Sequence, residues 1–124
     1  MLATKQGLPM SAGGVELARL CRESSAEKKA KDPVILDLRK VGGPADFFLV
    51  VSGDNEPHLK AIAGEIDRGV EESGGRKPYR ISGNSASQWI ILDYGDVLVH
   101  VMHSARRNFY RLENLWGDAD RIDK

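Results

Sequence analysis

Trp89-Ile-Ile-Leu-Asp-Tyr-Gly-Asp-Val-Leu-Val-His-Val-Met102 reads as two strands joined by a tight Asp-Tyr-Gly-Asp turn. With two turn residues, even positions of the first strand pair with odd positions of the second. One face then carries Ile90, Leu92, Val97, Val99 and Val101, all aliphatic. The other carries Trp89, Ile91, Asp93, Leu98, His100 and Met102. The first is a core face with no polar group to satisfy. The second mixes an indole, a thioether, an imidazole and a carboxylate, a blend that suits recognition better than plain packing. A three-residue loop would reverse the parity and destroy this sorting.

Working outward, residues 45–52 hold the run Phe47-Phe-Leu-Val-Val51, expected to be a strand buried on both faces. Val34 to Leu38 is a second, short central strand, and Tyr79 to Gly83 a third. Leu59, Ile62, Ala63, Ile66 and Val70 recur at helical spacing between Pro57 and Glu72, with Asp54 or Asn55 as the cap. Ser11 to Ala30 reads as a first helix ended by Asp32-Pro33, with Cys21 on its apolar stripe. Ser104 caps a last helix, Ala105 to Trp116, whose face is Phe109, Leu112, Leu115 and Trp116. That face is either core or the seam of a dimer.

The order αββαβββα predicts an α/β fold, a single mixed five-stranded sheet flanked by helices. Residues 1–14 are expected to be a flexible tail, 15–117 one domain, and 118–124 a polar tail. Of the 124 residues, 41% are apolar and 29% charged, and the net charge is zero. Bulk attraction to nucleic acid or membrane is therefore not expected. The single cysteine excludes an intrachain disulfide and fits a reducing, cytoplasmic compartment. No apolar run approaches the ~20 residues of a membrane span.

No catalytic constellation stands out. His100 and His103 are three apart in a strand and so point to opposite faces, which argues against a shared metal. Ser52-Gly53-Asp54 has the form of a phosphate-cradling turn before a helix, but no Asp-x-Asp pair follows on a strand. No cofactor is expected. An alternative for the hairpin is that a helix covers its second face, making Trp89 and Met102 core and Asp96 a turn residue.

Four stretches carry a family resemblance. They are Lys28-Lys-Ala-Lys-Asp-Pro-Val-Ile-Leu-Asp-Leu38, Ala45-Asp-Phe-Phe-Leu-Val-Val-Ser-Gly53, the Trp89 to Met102 hairpin, and Arg107-Asn-Phe-Tyr-Arg-Leu-Glu-Asn-Leu-Trp116. Together they resemble the Iojap/RsfS family of ribosomal silencing factors. The resemblance implies a nucleotidyltransferase-like fold without its working carboxylates, and a binding protein, not an enzyme. Its implied partner is the universal protein numbered fourteen at the intersubunit face of the large ribosomal subunit. Binding there blocks subunit joining and represses translation. A homodimer is also implied, and some relatives assist large-subunit assembly. On this reading Trp89, Ile91, Asp93, Tyr94, Asp96, Leu98, His100 and Met102 contact the partner protein. Arg80, Arg106 and Arg107 are candidates for a minor contact with ribosomal RNA.

Overall fold

The computed structural model describes residues 14–74, 76–110 and 119–122, with the backbone alone for 108–110. In chain order the elements are α1 (Gly14–Ala26), β1 (Lys31–Asp37), β2 (Phe47–Gly53), α2 (Glu56–Gly74), β3 (Arg80–Asn84), β4 (Trp89–Asp93), β5 (Val97–His103), α3 (Ser104–Tyr110) and β6 (Asp120–Ile122). They form one mixed sheet in the order β3-β4-β5-β2-β1-β6, parallel between β2 and β5 and antiparallel elsewhere.

The sheet has six strands, where the pattern of the sequence predicts five. The sixth comes from residues 118–124, expected to be a polar tail. Asp120–Ile122 pairs with β1, Ile122 opposite Ile35 and Arg121 opposite Leu36. An edge strand of three residues needs one apolar side chain and leaves no periodicity to read. The predicted tail before Gly14, the far half of the predicted last helix and the side chains of its stripe, Phe109, Leu112, Leu115 and Trp116, lie outside the described residues.

β2 is buried at all seven positions because it is central and covered on both faces. Pro33 falls inside β1 instead of ending the preceding helix. The β1–β2 register shifts between Lys31 and Val34, a bulge that accommodates a residue with no N–H to donate. The helix itself stops earlier, through a turn with Lys29 at φ 60. Asn55 is the cap of α2: its Oδ1 accepts from the His58 N–H at 2.9 Å and its carbonyl from Leu59.

The hairpin keeps the expected parity, with Ile90 opposite Val101 and Leu92 opposite Val99. Tyr94 N–H donates to the Val97 carbonyl across Gly95 and Asp96, and Gly95, at φ 91, supplies the positive φ of a two-residue hairpin. The aliphatic face packs with Leu17, Ala18 and Cys21 of α1 and Leu59, Ile62, Ile66 and Val70 of α2 in one buried cluster. The sheet's other face carries a second cluster, Val34, Leu36, Leu38, Phe48, Val50 and Met102, with Trp89 and Leu98 partly buried against it.

Candidate protein-docking face

Strand register places three rows on the face opposite α1 and α2. One runs Arg80, Asp93, Leu98, Phe48, Leu36; the next Ser82, Ile91, His100, Val50, Val34; the third Asn84, Trp89, Met102, Ser52. Burial grades along each row. Toward β1 and β2 the positions are sealed, with Val50 and Met102 at 0% exposure and His100 at 5%. Toward β3 they open: Trp89, Ile91, Asp93, Leu98 and Ser82 are partly exposed, and Arg80 and Asn84 are exposed. The open end is thus an indole and two aliphatic side chains rimmed by a carboxylate, a guanidinium, an amide and a hydroxyl.

Trp89 is held from beneath. Its Nε1–H donates to Nδ1 of His100 at 3.1 Å, and the two ring centroids are 5.9 Å apart. His100 in turn lies 4.5 Å from the Phe48 ring centroid, tilted against it. Because Nδ1 accepts, the neutral imidazole carries its proton on Nε2, which has no hydrogen-bond partner among the described residues. Burial disfavours the imidazolium and pushes the His100 pKa down to about 4. His100 is therefore a neutral bracket for the indole.

The loop before Trp89 is also fixed. Asn84 Oδ1 accepts from Ser87 N–H at 2.9 Å, and Ser87 Oγ accepts from Asn84 N–H at 3.2 Å, a reciprocal cap on a single 3-10 turn. Gly83 sits at φ 73, and a Cβ there would lie 2.1 Å from the Trp89 carbonyl oxygen. Only glycine allows β3 to approach Trp89 this closely.

The predicted contact residues divide. Trp89, Ile91, Asp93 and Leu98 share the open end of the face. His100 and Met102 lie on the same face but are buried under it. Tyr94 does not join them: it is 1% exposed and belongs to the core on the α1–α2 side, where burial raises its phenol pKa. Its hydroxyl has no hydrogen-bond partner among the described residues. Its even number puts it on the face of Ile90 and Leu92, opposite Val97, so alternation carried into the turn already assigns it to the core. Asp96 also turns away; its carboxylate pairs with Arg76 at 3.2 Å, and Arg76 donates to the Tyr94 carbonyl at 2.9 Å. Asp93 Oδ1 accepts from Gly95 N–H at 2.8 Å, and its Oδ2 has no hydrogen bond or ion pair among the described residues.

The arginines divide too. Arg80 is exposed beside Asp93, and Arg106 is exposed with Nε 3.4 Å from Gln88 Oε1. Arg107 is 6% exposed, and its Nη1 donates to Ser52 Oγ at 3.0 Å and to the Asp32 carbonyl. It is not a surface contact of the kind the sequence implies. Ser82 and Asn84, which flank the indole, escape sequence reasoning because only the β3–β4 register brings them there. Among the described residues no three His, Cys, Asp or Glu side chains gather into a possible metal site.

This geometry of a bracketed tryptophan on an open sheet face rests on the same hairpin that carries the family resemblance, and a family model extends it over nearly the whole chain. The model described as "Ribosomal silencing factor during starvation" matches residues 12–124. The chain belongs to the ribosomal silencing factor family. A ribosomal silencing factor RsfS of Halalkalibacterium halodurans is 38% identical over 87% of this chain and 92% of its own length. One of Bacillus subtilis is 35% identical over 86% and 90%. A crystal structure of a Chromobacterium violaceum protein, 33% identical, superposes with a TM-score of 0.78 over 83% of this chain and 85% of its own. The resemblance read from the four motifs is thereby borne out, as is the helix-flanked α/β sheet. The silencing-factor names describe regulators, not enzymes. No helix of the described residues is long and apolar enough to cross a membrane.

Proposed function

We propose that this chain is a ribosomal silencing factor that docks on the large subunit through the open end of its sheet face. The observation that carries this reading is the partly exposed Trp89, pinned by the buried His100 on the face that α1 and α2 leave uncovered. A rigid indole on a sheet loses little side-chain entropy on binding, and tryptophan is among the residues most often found at interface hot spots. Ile91 and Leu98 extend the apolar centre; Arg80, Asp93, Ser82 and Asn84 form the polar rim. The docking partner is the universal protein numbered fourteen at the intersubunit surface, on whose basic groups Asp93 Oδ2 forms a charge-assisted bond. Occupying that surface excludes the small subunit sterically and lowers translation in the cytoplasm. The mechanism needs no cofactor and no bond-making step.

The test is co-sedimentation of the purified chain with isolated large and small subunits, wild type beside Trp89→Ala. Pelleting with the large subunit alone, lost in a variant that melts normally, supports the reading. Pelleting unchanged in Trp89→Ala removes the proposed face, and no pelleting with either subunit removes the function.

A further inference from the structure

At the carboxyl ends of the parallel strands β2 and β5 lies a cavity of about 420 Å³, distinct from the docking face at the β3 end. Crevices at the carboxyl ends of parallel strands are where open α/β sheets commonly take ligands. Here the walls come from four elements: Asp32 of β1, Ser52 of β2, Ser104 and Arg107 of α3, and Arg121 of β6. Two guanidinium groups and two hydroxyls therefore converge on one hole in a chain whose net charge is zero.

The two arginines differ in a useful way. Arg107 is buried and oriented, with Nη1 on Ser52 Oγ and the Asp32 carbonyl. Burying a guanidinium is costly unless its donors are used. Its planar fork is thus fixed before any ligand arrives. Arg121 is the opposite: exposed, on the edge strand, and without a hydrogen bond or ion pair among the described residues. Register puts it on the same face as Val34 and Ser52, opposite Leu36. Ser104 Oγ donates to the Gly53 carbonyl at 3.2 Å, which ties the floor of the cavity to the end of β2. Asp32 is exposed, so solvent screens its carboxylate at the rim. An exposed guanidinium at the mouth of a polar hole can give a tetrahedral oxyanion paired N–H bonds from Arg121, and the buried Arg107 adds a fixed positive charge behind it.

We infer that this cavity is a phosphate site, taking one phosphate group between Arg107 and Arg121. The phosphate is either that of an RNA backbone or that of a free nucleotide. The inference stands on the cavity alone and survives a failure of the docking reading.

The experiment is an amide NMR titration of the full chain with inorganic phosphate, then with a short single-stranded RNA, then with ATP. Signals of Ser52, Ser104, Arg107 and Arg121 are expected to move together and saturate. Arg121→Gln is expected to weaken the response at least fivefold, while Lys40→Gln, a distant exposed cation, leaves it unchanged. Unmoved signals of Ile35 and Leu36 in Arg121→Gln report that β6 still pairs. Tighter binding of RNA than of ATP assigns the phosphate to a nucleic acid, and the reverse assigns it to a nucleotide. No saturable shift at these residues with any of the three probes overturns the site. So does a response that Arg121→Gln leaves intact in a folded protein.

Discussion

Protonating His100 is expected to destabilise the fold and release Trp89 in one step. The imidazole is 5% exposed, and burial lowers its pKa to about 4, against 6.5 for the free side chain. Between those values the unfolded chain takes up a proton that the folded chain refuses. Stability from neutral His100 is therefore complete above pH ~6.5 and is lost as pH falls toward 4. With these two pKa values, linkage gives a loss of about 2 kcal/mol by pH 5 and about 3 kcal/mol by pH 4. That is a large part of the roughly 5–15 kcal/mol holding a typical domain. The assay is urea denaturation at pH 7.5, 6, 5 and 4.5, wild type beside His100→Gln. Glutamine offers an acceptor to the indole N–H but does not titrate. Asp37, Asp54 and Glu65, whose carboxyls Arg39, Lys31 and Arg68 hold below their usual values of 3.8, 3.8 and 4.5, lose their contributions as pH falls through and below those values, and do so in both proteins. The wild-type curve should fall between pH 6.5 and 4.5 while the variant's stays flat. Parallel curves would refute the argument, because they would mean that His100 is not the group excluding the proton. Indole fluorescence followed in the same window in a Trp116→Phe background, which leaves one indole, reports whether Trp89 leaves its bracket.

Three further outcomes follow from the same geometry. Gly83→Ala forces a Cβ against the Trp89 carbonyl at positive φ, and should cost at least about 2 kcal/mol in urea unfolding and weaken large-subunit pelleting. Asp96→Asn removes a partly exposed pair with Arg76, so it should cost no more than about 1 kcal/mol and leave pelleting unchanged; lost pelleting would return Asp96 to the docking face. Binding to the large subunit should depend weakly on salt, with a log–log slope shallower than about −2, because each phosphate neutralised adds only about 0.7–0.9. A steep slope measured by sedimentation across a salt series would make RNA the dominant contact.

The hairpin was legible because alternation has a period of two and a Gly-containing tight turn fixes the parity. Those two facts alone separate Ile90, Leu92, Val97, Val99 and Val101 from Trp89, Ile91, Asp93, Leu98, His100 and Met102. The sequence could not say which face the helices cover; the stripe of α2 fits either until packing chooses. It also could not separate buried from open positions within the second face. Trp89 and Met102 are cross-strand neighbours, yet one is partly exposed and the other at 0%, because burial there depends on distance from β1 and β2. Tyr94 and Asp96 are misplaced for different reasons: Tyr94 continues the even-numbered face of Ile90 and Leu92, a signal lost when it is counted as part of the turn, whereas Asp96 is a turn residue whose carboxylate pairs with Arg76. Arg107 reads as a surface cation at a helix start, and only the tertiary approach to Ser52 and Asp32 shows it as buried.

The two faces of this sheet meet different demands, and the register explains how one strand pair serves both. β5 lies between β4 and β2, so its inward residues seal the helix side while His100 and Met102 support the other. A docking anchor mounted on a loop would pay for ordering at the moment of binding. Trp89 instead stands on a strand whose backbone is fixed by β5 on one side and by the Gly83 approach on the other, and whose indole N–H already has its acceptor in His100. On the proposed docking reading, most of the cost of orienting Trp89 is met during folding. The same economy explains why His100 is an imidazole and not a larger apolar ring: a phenyl group would fill the space, but the indole N–H would then be left without its acceptor on the half-sealed face.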